Sequence, residues 1–154
     1  AEAIQRHHPH LSIIPHEGIG EVRYGDWEGK SIASLQARKM WHVVQEYPSR
    51  ASFPNGETMR GVQARAVEAI EALVAKHPRD LVVVVSHADL IKMVLAHYLG
   101  MHLDNFQRIV VSPASINSLQ LGYGRPYVSA INDTAHVQQM ERERKAAQSL
   151  AAGQ

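Results

Sequence analysis

An imidazole at the end of an apolar run stands where α/β proteins commonly bind ligands. His87 follows the apolar run 81–85 and precedes a segment with helical periodicity. Ligands gather at the carboxyl ends of strands in open α/β sheets, and the N–H groups at a helix start favour anions, especially phosphate. A histidine there can donate a hydrogen bond to a phosphate oxygen, or it can merely cap the helix. The residues alone leave both interpretations open.

A carboxylate in a glycine-framed loop is the second candidate. Glu21 follows Gly18 and Gly20 and precedes Gly25, shortly after the apolar run 11–14. A carboxyl group that is partly shielded from water holds its proton more readily and can serve as a general acid at neutral pH. The alternative is a solvated loop glutamate without a chemical role.

The elements that would position these residues alternate between helices and apolar strands. Helical periodicity runs from the cap residue Ser31 to about 47, over 57–77 and over 88–99. Apolar runs predict strands at 11–14, 81–85, 109–111, 115–121 and 127–131, the last two forming a hairpin across 122–126. The run 81–85 is apolar at every position, which predicts a central parallel strand buried on both faces. This pattern predicts a layered α/β domain.

Composition narrows the function classes. The chain has 154 residues, 45% hydrophobic and 20% charged, which suits one globular domain. Lys+Arg 16 against Asp+Glu 15 gives a net charge of +1, which argues against sequence-independent nucleic-acid binding. There is no cysteine, and no apolar run is long enough to span a membrane. With no signal peptide visible, we expect a cytoplasmic domain without nucleic-acid or membrane partners.

The ten histidines raise the question of a metal site. His7, His8, His10 and His16 are the densest group, but no carboxylate or fourth ligand recurs among them at helical spacing. We expect them to be polar residues facing solvent, with no bound metal. A histidine-rich metal-binding protein is the third hypothesis for this chain.

Three blocks of sequence carry a resemblance to a known family. They are 21–29, then 53–58 with Arg65 shortly after, then 85–89. In this order the chain resembles the histidine phosphatase superfamily, the phosphoglycerate mutase-like group. The resemblance extends from Ala1 to about His136 and implies one domain over 1–136 with a three-layer α/β/α fold. Residues 137–154 would be a charged C-terminal helix or tail.

The resemblance implies roles for individual residues. Glu21 would be the proton donor to the leaving oxygen, and His87 the second active-site histidine, which binds and polarises the phosphoryl group. The backbone N–H of Ala88 would contact phosphate, at a position where the family usually has glycine. Glu57 would lie on the pocket rim as a substrate-binding candidate. Arg23 is a further candidate, because on a strand it would share a face with Glu21.

The main departure from the family concerns its nucleophile. The family signature is an Arg-His-Gly motif at the end of the first strand, whose histidine becomes phosphohistidine. A further arginine, upstream of the position of Glu21, completes the family's phosphate pocket. The segment Arg6-His7-His8 has neither the glycine nor a preceding apolar strand. We therefore expect the first, central strand, the nucleophile and the pocket arginines to be missing from this chain.

These expectations combine into a function with one alternative. The resemblance implies a phosphoryl-transfer enzyme, a phosphomonoesterase or phosphoglycerate mutase-like enzyme acting on a phosphorylated small molecule without a cofactor. Without the nucleophile, this chain is predicted to be inactive alone. The alternative is a non-catalytic phosphate-binding or protein-interaction module, a pseudoenzyme. A homodimer is compatible with both, but it would not supply the motif, because both copies would lack it.

Overall fold

A computed structural model describes residues 1–122 and 124–152 as a mixed α/β fold. The helices are α1 (Glu2–Gln5), α2 (Ile32–Gln36), α3 (Lys39–Glu46), α4 (Met59–Lys76), α5 (Ala88–Tyr98) and α6 (Ala135–Ala152), and the strands are β1 (Ile116–Gln120) and β2 (Tyr127–Asp133). Short 3-10 turns cover Glu17–Ile19, Gly25–Trp27, Pro48–Arg50 and Leu103–Arg108. Helices therefore dominate the described part of the chain.

The helices follow their sequence signals. Thr58 caps α4 by accepting a hydrogen bond from the Gly61 N–H at 3.0 Å. The chain leaves α5 through Gly100, whose φ of +65° favours glycine. The predicted helix after Ser31 begins with that cap as expected but is divided into α2 and α3. The predictions for 57–77 and 88–99 are confirmed, because each segment buries one apolar face.

The core lies between α4, α5 and the turn Leu103–Arg108. Its largest fully buried side chains are Phe106, Met59, Leu90, Met93, Leu95 and Val62. Trp27 packs edge-on against Phe53 with ring centroids 5.2 Å apart, which anchors the loop before α2 to this core. The core thus fixes one end of the loop that carries Glu21.

The predicted hairpin is confirmed. β1 and β2 pair antiparallel, from Ile116 opposite Asp133 to Gln120 opposite Tyr127. Part of its predicted connection, Tyr123, lies outside the described residues.

The predicted central strand at 81–85 is wrong in this structure. Leu81 is 93% exposed and Val83 is 62% exposed. No backbone–backbone hydrogen bond joins 81–85 to another described segment, and a strand needs a partner for its N–H and C=O groups. The predicted strands at 11–14 and 109–111 are also irregular. The described residues form one two-stranded sheet, so they do not show three layers.

The C-terminal segment is helical. The predicted division at 136/137 falls two residues after the start of α6 and remains a prediction. The Asp133 side chain accepts a hydrogen bond from the Ala135 N–H at 2.9 Å where the helix begins. Within 1–122 and 124–152, no helix combines the length and apolarity that a membrane span requires.

Candidate functional site

His87 stands at the N-cap position of α5. Its backbone is extended, and its side chain makes no capping hydrogen bond. Its ring is 57% exposed. The sequence left open whether His87 caps the helix or binds a ligand. The described contacts do not show a capping role for its side chain. The imidazole is available to solvent and to a ligand.

Glu21 approaches His87 from the loop that follows the turn Glu17–Ile19. Its Oε1 accepts a hydrogen bond from the Val22 N–H at 2.9 Å. Its Oε2 lies 3.7 Å from Nδ1 of His87, beyond hydrogen-bond length but within ion-pair range when the imidazole is protonated. The structure thus brings together the two residues singled out from the sequence. A carboxyl group and an imidazole at this distance can supply an acid and a cation to one bound anion.

Two side-chain contacts join the loop that carries Glu21 to the segment that carries His87. The Ser86 hydroxyl donates to the Ile19 carbonyl at 2.6 Å. The Tyr24 hydroxyl donates to Oδ2 of Asp89 at 3.1 Å. Burial, followed by the Asp89 carboxylate, raises the pKa of Tyr24 well above its ordinary value, so the phenol remains a donor. These contacts fix the position of the loop that carries Glu21 relative to the segment that carries His87.

A guanidinium and a carboxylate support the same loop from α4. Arg65 donates to Glu57 through Nε at 2.7 Å and through Nη2 at 2.9 Å. The hydrogen bonds from Arg65 are the main cause that lowers the Glu57 pKa from 4.5 to about 2, against the opposing effect of burial. Glu57 is therefore ionised at neutral pH and bonded within the protein.

The other predicted substrate-binding residues lie beside these two groups. The Arg23 N–H donates to Oε2 of Glu57 at 3.0 Å, and its Nη2 lies 3.4 Å from Oε1 of Glu57. The Arg23 side chain is 73% exposed. Ala88 is the first residue of α5 and is exposed next to His87, where the N–H groups of a first helical turn have no acceptor within the helix.

Sequence reasoning did not assign a role to Arg65. It lies on the face of α4 that buries Val62, Ala66 and Ala69. An arginine on an apolar face needs polar partners, because a buried charge without them is costly. That break in the apolar pattern was the signal that could have identified it.

The described residues form no metal centre at the site, and both of its side chains are at least partly exposed. Among residues 1–122 and 124–152, no three or more His, Asp or Glu side chains are arranged to hold a metal ion. A cavity of about 510 Å³ lies elsewhere, between the end of α4, residues 78–84 and β1. The Glu21–His87 site is instead open to solvent.

Comparisons of sequence link the chain to known proteins. A model of the histidine phosphatase superfamily (branch 1) matches residues 1–134. Phosphoserine phosphatase 1 of Hydrogenobacter thermophilus is 26% identical over 132 residues, which cover 82% of this chain and 61% of that protein. The chain thus spans about three fifths of the length of this curated relative.

Solved structures share the fold. YhfR of Bacillus stearothermophilus superposes with a TM-score of 0.81 at 24% identity, covering 88% of this chain and 70% of that one. A phosphoserine phosphatase mutant from Entamoeba histolytica, in complex with phosphoserine, gives a TM-score of 0.75 at 19% identity, covering 86% and 68%. At these identities the likeness establishes the fold alone.

Proposed function

This chain belongs to the histidine phosphatase superfamily (branch 1), and on that premise we propose that its Glu21–His87 site serves phosphoryl transfer from a phosphorylated small molecule. The proposed reaction is that of a phosphomonoesterase or a phosphoglycerate mutase-like enzyme, acting through a phosphohistidine. Phosphoserine, the substrate named for one relative and bound by another, supports a small phosphate monoester as the substrate class.

The proposed reaction has two steps. A histidine nitrogen forms a bond to phosphorus while the bond between phosphorus and the ester oxygen breaks, and the Glu21 carboxyl gives its proton to that oxygen. Water then attacks phosphorus, the Glu21 carboxylate takes a proton from the water, and the nitrogen–phosphorus bond breaks to release phosphate. Glu21 returns to its starting protonation state. The His87 ring donates a hydrogen bond to a phosphoryl oxygen in both steps.

One observation carries this proposal: the 3.7 Å distance between Glu21 Oε2 and His87 Nδ1. A phosphoryl oxygen that is bonded to His87 would place a second oxygen of the same group within reach of Glu21. The Ala88 N–H adds a donor at the start of α5. Arg23, with its exposed guanidinium, is kept as a candidate contact for the rest of the substrate. For Glu57, the bonds to Arg65 favour a supporting role over direct contact.

We further propose that the attacking histidine is not among these 154 residues. The tripeptide Arg-His-Gly does not occur in the sequence. Arg65 does not take the place of a missing pocket arginine, because its guanidinium donates to Glu57 and to loop carbonyls. Because losing a catalytic nucleophile typically costs several powers of ten in rate, the polypeptide of these residues alone should not turn over substrate.

The same observations support the second candidate, a non-catalytic module that binds phosphate or a protein partner. Such a module would keep the Glu21–His87 site for binding. The two candidates differ in turnover by the natural protein: a histidine nucleophile supplied by sequence beyond these residues makes it an enzyme.

Anion binding and hydrolysis test the proposal together. Orthovanadate is titrated calorimetrically into the polypeptide, its His87→Ala variant and its His97→Ala variant. His97 lies on the same helix, about 15 Å along it from His87, and is the matched control. We expect saturable binding that weakens about tenfold or more in H87A and is unchanged in H97A, with hydrolysis of p-nitrophenyl phosphate at background.

Two results would count against parts of the proposal. Absence of vanadate binding, or equal binding by H87A, would overturn the site assignment. Hydrolysis of p-nitrophenyl phosphate that H87A abolishes would show that the polypeptide carries its own nucleophile.

A further inference from the structure

We infer that Arg65 is a positioning residue for Glu21, acting through the backbone of residues 17–21, and that Glu57 holds the Arg65 guanidinium in place. The inference rests on the proposed function, since it matters chemically only if Glu21 is the acid. It assigns a role to a charged pair that lies behind the site rather than in it.

Every nitrogen of the guanidinium is engaged. Nη1 donates to the carbonyls of Gly18 at 2.9 Å and Gly20 at 3.1 Å, and over a longer distance of 3.4 Å to that of Glu17. Nη2 donates to the carbonyl of Glu21 itself at 3.0 Å and to Glu57 at 2.9 Å, while Nε donates to Glu57 at 2.7 Å. The planar fork thus joins α4 to four carbonyls of the loop, the last of them on the acid residue.

The loop is seated closely on α4 at the same place. A Cβ added at Gly18 would come within 2.8 Å of the Ala69 Cβ, so the backbone there lies against the helix. Arg65 is one turn before Ala69 on that face. Contact with Ala69 and hydrogen bonds from Arg65 therefore fix the position and the orientation of residues 17–21 relative to α4.

Lysine cannot replace this arginine. An ammonium group has three donors on one nitrogen and lacks the planar spread that reaches Glu57 and four carbonyls together. Arg65→Lys keeps the positive charge but releases part of the loop. The Glu57 side chain is needed for a similar reason, because both of its oxygens accept from Arg65. Glu57→Gln keeps the shape and removes one of these acceptors.

The test measures how much the Glu21 carboxylate changes the NMR resonances of the His87 ring. Replacing Glu21 by Gln removes a carboxylate 3.7 Å from the His87 ring, so at fixed pH it should displace the NMR resonances of that ring. This displacement is measured in the unaltered, Arg65→Lys, Glu57→Gln and Arg60→Lys backgrounds. Arg60 is an exposed arginine on α4 and provides the matched control.

If Arg65 positions Glu21, the displacement caused by E21Q falls about threefold or more in R65K. It falls less in E57Q and is unchanged in R60K. If Arg65 only stabilises the fold, R65K would lower the melting temperature and leave the displacement caused by E21Q intact in the folded protein. That result would overturn the inference. If R65K does not fold, E57Q decides by the same comparison.

The readout does not depend on a bound anion. Sulfate titrations of the same variants, followed through the His87 ring, test the proposed function separately. If sulfate does not bind while the E21Q displacement still depends on Arg65, the phosphoryl-transfer proposal fails and the positioning role stands. If sulfate binds but the displacement is the same in R65K, the positioning role fails alone.

Discussion

Glu57 makes the charged hydrogen bonds that hold Arg65 against the loop of Glu21, the candidate acid. Its carboxylate accepts hydrogen bonds from the Arg65 side chain and from the Arg23 N–H, and it is only 15% exposed, so water screens these interactions poorly. The lowered pKa of Glu57, about 2, reports that the folded protein favours the ionised carboxylate. Stability should therefore depend on pH through this residue.

The sign follows from linkage. The Glu57 pKa falls from 4.5 in its ordinary state to about 2 in the fold, so its stabilising effect is complete above pH 4.5 and is lost as pH falls through 2. The full contribution is on the order of 3 kcal/mol. We expect E57Q to lower the urea-unfolding free energy at pH 7, with a smaller deficit against the unaltered chain at pH 3.

Glu68→Gln is the control for that comparison. Glu68 is an exposed carboxylate on the same helix, so its deficit should be small at both values of pH. An E57Q deficit of equal size at pH 7 and pH 3 would contradict a stabilising role of the ionised carboxylate.

At this scale the sequence allowed the positions of Glu21 and His87 to be predicted but not the group that fixes them. Glycines around one and an apolar run before the other are local signals, and the two side chains do meet. The backbone partners of Arg65 are carbonyls more than forty residues away in sequence. Such contacts depend on how the loop packs on α4, which local patterns do not encode.

Among the elements, helices and strands differ in what local sequence can specify. A helix forms its hydrogen bonds within one segment, so the apolar periodicity of α4 and α5 was sufficient to predict them. A strand needs a neighbour. Each strand of the β1–β2 hairpin has its pairing partner close in sequence, whereas 81–85 has no backbone partner among the described residues. The apolar composition of 81–85 predicted a buried strand, but Leu81 and Val83 are exposed.

Matched valine substitutions test this difference. Val62 on α4 is 0% exposed, and Val83 is 62% exposed. Valine to threonine replaces a methyl group by a hydroxyl at nearly constant shape. We expect V62T to destabilise the protein by about 1–3 kcal/mol, because it buries a polar group, and V83T to change stability by less than about 0.5 kcal/mol.

Urea unfolding of both variants supplies the measurement, and Val94→Thr, a second buried valine, is a further control that should resemble V62T. A V83T cost close to that of V62T would mean that 81–85 is buried in solution, as the sequence had predicted.

For the whole molecule, the exposed apolar segments become the dominant feature. Ile13, Ile14, Leu81, Val83 and Val85 are all exposed, in segments without regular secondary structure that make no backbone–backbone hydrogen bonds at these positions to the rest of the described chain. The mixed α/β fold could be predicted from the alternation of patterns, but the described residues form one two-stranded sheet instead of the predicted layered one, which depends on pairing between distant strands. Exposed apolar segments with unpaired backbone groups favour association with other chains.

We therefore expect the polypeptide to self-associate through residues 81–85. Sedimentation velocity should show a mass that rises with concentration in the micromolar range, and the protein should bind the dye ANS. The double substitution Val83→Lys with Val85→Lys should reduce both, because charge on an exposed strand edge opposes pairing. Ile32→Lys, an equally exposed apolar residue on α2, should leave both unchanged. A monomer without dye binding, or association that I32K disrupts as strongly, would place the contact elsewhere.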